Sequence, residues 1–133
     1  MSGMLLRDGQ EVIIGVNSSH APTRQRFTIA HELGHLLMHE GQAVFLDASV
    51  RFRVDMRNKR SGVGDPRQER QANQFAAFLL MPADLLEIAV KRAMKADAAT
   101  SAESLVQLLA QRFAVSSEAM RYRLIDIGTV GPD

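Results

Sequence analysis

The chain has 133 residues, 46% of them apolar and 5% aromatic, with sixteen basic against fifteen acidic side chains and a formal charge of +1. That length suits a single domain, 1–133, with one core, and the near-neutral balance supplies no field that would select nucleic acid or an anionic membrane as partner. There is no cysteine, so disulfides and thiolate metal ligands are excluded; the longest apolar run, near Phe75 to Met81, is far below the ~20 residues of a membrane span, and the early charges at Arg7 and Asp8 argue against a secretory leader, so a cytoplasmic location without membrane contact is expected.

Met4 to Leu6 and Val12 to Val16 are apolar pieces flanking Asp8-Gly9, a strong hairpin signal, and are predicted to pair. The stretch "NSSHAPT" then offers turn chemistry and several caps, so a helix is predicted from Pro22 or Thr23, with Phe27, Ala30, Leu33, Gly34 and Leu37 recurring at helical spacing and Gly41 as a stop. Val44 to Leu46 and Val50 to Val54 read as short strands before the loop "NKRSGVG". A helix from Pro66 to about Met81 follows, with Asp65 as cap, Pro66 in the first position and Gln68 completing a capping-box variant. Pro82 opens a third helix to about Lys95. A capping box of Thr100 with Glu103 starts a fourth over Ser101 to Phe113, and Ser116 caps a fifth that ends near Gly128 and turns Ala119, Met120, Leu124 and Ile125 inward. The predicted class is α+β: a small antiparallel sheet on a helical bundle, with residues 1–98 carrying the site and 99–133 a terminal helical pair.

Within the first helix, "AHELGH" places His31 and His35 at i and i+4, about 6 Å apart along the axis and on one stripe, where both imidazoles can reach one ion. In H-E-x-x-H the glutamate, here Glu32, is not a ligand but the base that takes a proton from the attacking water. With four histidines and seven glutamates in the chain, chance produces this pattern in roughly 0.006 of such sequences. The bland alternative is an amphipathic helix burying both histidines against neutral partners.

Two histidines leave a catalytic zinc underliganded, since such sites keep three protein ligands and one open position. His39 sits a further turn along, displaced by roughly 6 Å, and is not expected to share the ion; His20, in the preceding turn, is a weaker rival. Glu69 falls in the first turn of the next helix, from which it can project at the metal, but first turns also attract acids through the helix dipole, and spacing leaves both readings open. Asn73, one turn later on the same face, is placed to accept a proton from a ligand histidine.

"RFTIAHELGHLLMH", "ERQANQFAAFLLMP" and "LAQRFAVSSEAMRYRL", in that order, resemble the ImmA/IrrE family of gluzincin-like metallo-endopeptidases, found mainly in bacteria and their mobile elements. The resemblance implies a minimal zincin-like protease domain in which His31, His35 and Glu69 bind Zn2+ and Glu32 is the catalytic base. It also implies a protein substrate, a helix-turn-helix repressor whose cleavage switches on stress-response or mobile-element genes. The ligand set alone leaves Mn2+ and Fe2+ open. Tyr122, the only tyrosine, is a candidate for stabilising the oxyanion. The edge of "VIIGVN" is a place where substrate backbone could add.

Two other classes compete. Ala110, Val115 and Met120 have helix-turn-helix spacing, which could mean DNA binding, although only Arg121 and Arg123 offer contacts and Glu118 and Asp126 lie nearby. Direct nucleic-acid binding is not expected. A non-catalytic, metal-stabilised regulatory module is the third class, and Glu32 speaks against it, because a structural site needs no base. The basic run Arg51, Arg53, Arg57, Lys59 and Arg60 reads as a solvated loop or a substrate-docking patch.

Overall fold

A computed structural model describes residues 2–39 and 65–132, in two compact units divided between Ala76 and Ala77. The expected stop at Gly41, the two short strands and the basic run lie outside the described residues. What is described is α+β: a two-stranded antiparallel sheet packed on a helix, and five helices in all.

In the first unit, β1 (Gly3–Asp8) pairs with β2 (Glu11–Val16) in the register Gly3 to Val16 and Asp8 to Glu11. The two-residue turn holds because Gly9 takes φ 61°, a conformation that a side chain resists. Leu5 and Leu6 are buried, while Val12 and Ile13 remain close to half exposed.

Helix α1 (Pro22–Met38) packs against both strands. It starts at Pro22, as expected, but without a polar cap: Ala21 is the N-cap and contributes no side-chain bond. The polar residues before it are engaged in their own turn, Ser19 donating its backbone N–H to Asn17 Oδ1 at 2.9 Å. Pro22, with its preset φ and no N–H to satisfy, begins the helix instead. Strand and helix meet where Gly3 lies over Thr28 and Glu32, since a Cβ on Gly3 would collide with the Thr28 methyl.

Helix α2 (Pro66–Leu80) begins as its sequence predicts, with Asp65 Oδ1 accepting the Arg67 backbone N–H at 2.9 Å and Pro66 in the first turn. Ala72 and Ala76 are fully buried.

In the second unit, α3 (Ala83–Lys95), α4 (Ala102–Phe113) and α5 (Ser117–Asp126) surround a core of Met81, Leu86, Leu109, Met120 and Leu124 with smaller neighbours. Ala110 and Val115 belong to that core, so the helix-turn-helix spacing serves packing here. The capping box of α4 is Ser101 with Ser104, not Thr100 with Glu103. The Glu103 carboxylate is taken instead by Arg121, eighteen residues on, and by Gln107. Ser116 caps α5 as expected, accepting from Ala119 N at 3.0 Å. Arg123 is buried at 7% exposure; it donates to the Met81 carbonyl and Asp126 and lies over the Phe78 ring. No single described helix is long and apolar enough to cross a membrane.

Candidate metal centre

Helix α1 delivers His31 and His35 on one stripe, and the first turn of α2 delivers Glu69. His31 Nε2 lies 3.0 Å and His35 Nε2 3.2 Å from the same Glu69 oxygen, Oε2. The two imidazoles stand edge to face, their centroids 4.7 Å apart. His31 meets both Glu69 and Asn73, one turn apart on α2, and His35 meets Glu69 as well. The helices approach closely because Gly34 has no side chain at the point where Phe75 crosses it.

Asn73, which the sequence places one turn after Glu69, meets His31. His31 Nδ1 is 2.8 Å from Asn73 Oδ1. Both ring nitrogens of His31 therefore face oxygen, yet a neutral imidazole has only one N–H to donate. Once Nδ1–H is given to Asn73, the Nε2 lone pair points at a carboxylate oxygen, an arrangement that calls for positive charge at that spot. His31 first, and then His35, hold the Glu69 carboxyl well below the usual carboxylate range, against the opposing effect of burial.

A divalent cation fits these donors. With bonds of about 2.1 Å to tetrahedral ligands, donor atoms stand roughly 3.4 Å apart. The two contacts to Glu69 are 3.0 and 3.2 Å, and all three donor atoms lie within 4.8 Å of one another. Two imidazole nitrogens and one carboxylate form the ligand type of a zinc hydrolase with a position left open.

Glu32, between the histidines in sequence, is 2% exposed. A carboxylate at that depth costs stability unless its surroundings engage it, and the start of β1 lies directly over it. Tyr122, on α5 in the second unit, is 65% exposed. His20 stays in the turn before α1, accepting from Asn17 Nδ2 at 3.3 Å, and is not among the converging donors.

His39 and Gln71 were missed as contributors by the sequence reading. His39 is not a ligand, as its position one turn on suggested, but its Nδ1 lies 3.0 Å from Nδ1 of His35 and its Nε2 2.8 Å from Gln71 Oε1. The signal was present in the third histidine of the 31, 35, 39 stripe, which continues the i, i+4 spacing behind the site. Gln71, between Glu69 and Asn73, carried no signal of its own.

A family model described as the IrrE N-terminal-like domain, Peptidase M78, matches residues 3–125. Over 80 residues the chain is 34% identical to the radiation response metalloprotease IrrE of Deinococcus deserti, a stretch that makes up 60% of this chain and 26% of that relative. The chain thus spans about a quarter of the length of the curated relative it matches.

Proposed function

The chain belongs to the Peptidase M78 family of IrrE N-terminal-like domains, and we propose that it is a metal-dependent endopeptidase, with Zn2+ the ion that His31, His35 and Glu69 hold. The observation that carries this reading is the convergence of two imidazole nitrogens on one Glu69 oxygen, with Asn73 fixing the ring of His31 from behind.

A divalent ion in this position supplies Lewis-acid polarisation of the scissile carbonyl and acidifies the attacking water. Glu32 takes the proton of that water as its oxygen bonds to the carbonyl carbon. It then returns the proton to the amine nitrogen as the C–N bond breaks, a base-then-acid cycle run by one carboxylate. The burial of Glu32 keeps it apart from bulk water during both transfers. His31 and His35 orient rather than transfer protons, which is why their second nitrogens are tied to Asn73 and His39.

The substrate in this reading is a protein, a helix-turn-helix repressor of stress-response or mobile-element genes, as the family resemblance implies. Its backbone would add along β2, which among the described residues has one edge without a strand partner.

The test is a pair of measurements on wild type and Glu32→Gln: metal content of the purified protein, and cleavage of repressors encoded beside it. Glu32→Gln should retain zinc and lose proteolysis. Cleavage at the wild-type rate by that variant would refute the mechanism.

A further inference from the structure

Three histidines of α1 form one continuous line of contacts, and only the first two are used by the proposed metal site. His39 is nine-tenths buried, with one ring nitrogen against His35 and the other against a side-chain amide. Two imidazoles facing each other through Nδ1 atoms 3.0 Å apart can form a hydrogen bond only if one carries the proton and the other does not. The far end decides which. Gln71 presents its carbonyl oxygen, Oε1, to His39 Nε2 at 2.8 Å, so Nε2 carries the proton and donates it. A neutral His39 then has a bare Nδ1, which accepts from His35 Nδ1–H. His35 is left with its Nε2 lone pair facing the Glu69 oxygen, the form in which an imidazole binds a cation.

We propose that His39 and Gln71 are positioning residues that act in series, Gln71 fixing the tautomer of His39 and His39 that of His35, so that a side-chain amide on the neighbouring helix sets the affinity of the centre for its metal. Metal-ligating histidines commonly give their second N–H directly to a carboxylate or carbonyl. Here the acceptor is another neutral imidazole, which transmits the choice made by an amide. The two ligand histidines are consequently held by different means: His31 by Asn73 alone, His35 through a chain of two. Both anchors come from α2, at positions 71 and 73, so the helix that brings the third ligand also orients the other two.

This inference rests on the metal-site reading, and the experiment separates the two. The protein labelled with 15N is loaded with Zn2+, and its imidazole nitrogens are assigned by NMR. His39 is expected as the Nε2–H tautomer, with a through-hydrogen-bond coupling between Nδ1 of His35 and Nδ1 of His39. Zinc affinity is measured by competition with a chromogenic chelator. Gln71→Leu, at an exposed position where folding is not at stake, should erase the tautomer preference and weaken zinc binding by about ten- to a hundredfold. Gln71→Glu, an acceptor at both oxygens, should keep both. His39→Phe should weaken binding at least as much as Gln71→Leu. A wild-type chain that takes up zinc while His39 shows the Nδ1–H form, or while Gln71→Leu binds as tightly as wild type, overturns the series and leaves the metal site standing. A wild-type chain that takes up no zinc, cobalt or manganese overturns both.

Discussion

Gly34 and Phe75 meet so closely that a Cβ on the glycine would stand 3.0 Å from Cδ1 and 3.2 Å from Cβ of the phenylalanine. The glycine inside H-E-L-G-H is therefore the point at which α2 rests on α1, one residue before His35. Gly34→Ala should force the helices apart by a few tenths of an ångström. Overpacking costs about 1–3 kcal/mol, while alanine in a helix returns about 0.5–1 kcal/mol, so the net loss of stability is small. Zinc affinity is the sharper measure, and a fall of about tenfold is expected as Glu69 moves off the two imidazoles. Unchanged affinity would mean that α2 can yield without moving Glu69.

The 2.8 Å contact between His31 Nδ1 and Asn73 Oδ1 predicts a pair of opposite outcomes. Asn73→Ala removes the acceptor and should weaken zinc binding by about ten- to a hundredfold, whereas Asn73→Asp keeps an oxygen there and should bind at least as well as wild type. Chelator competition at fixed pH reads both. Equal losses in the two variants would point to damaged packing rather than a lost acceptor.

Glu69 makes a prediction about acid stability in the metal-free protein. Its folded-state pKa is depressed below its ordinary value of 4.5, first by His31 and then by His35. A depressed carboxylate contributes stability that is fully present above the unfolded-state pKa and is lost as pH falls through the folded-state value. Wild type should thus be more stable than Glu69→Gln above about pH 5, and the gap should close as the pH is lowered further. Urea midpoints across that range measure it, and a gap that widened at the acid end would contradict the assigned direction.

Ala114 ends α4 at φ 55°, ψ 49°, the left-handed region that costs an L-residue with a Cβ about 1 kcal/mol or more. Glycine there gives up part of that gain by loosening the unfolded chain. Ala114→Gly should raise the denaturant midpoint by an amount equivalent to a few tenths of a kcal/mol up to about 1 kcal/mol. A lowered midpoint would show that the Ala114 methyl contributes more than its backbone strain.

Local rules foresaw what local rules control. The hairpin around Gly9, the first turn of α2 behind Asp65 and Pro66, the Ser116 cap and the extents of the described helices follow from neighbours within a few residues. The two departures have long-range causes or competing local ones. Glu103 does not close a capping box because Arg121 holds it from the next helix, and Ser104 takes that place. The polar residues before α1 do not cap it because Asn17 and Ser19 satisfy one another.

For the site, sequence alone determined that His31 and His35 share a face with Glu32 between them, because the helical repeat fixes where residues four apart must point. It could not decide between ligand and dipole partner for Glu69, nor give any role to Gln71. Where those two side chains stand depends on which helix lies beside α1 and at what distance, which is fixed by side chains meeting across more than thirty residues of chain: Gly34 with Phe75, His31 with Asn73, His35 with Glu69 and His39 with Gln71. Periodicity describes one element at a time, whereas a metal centre is made of two, and only their packing brings an acid from one to the nitrogens of the other.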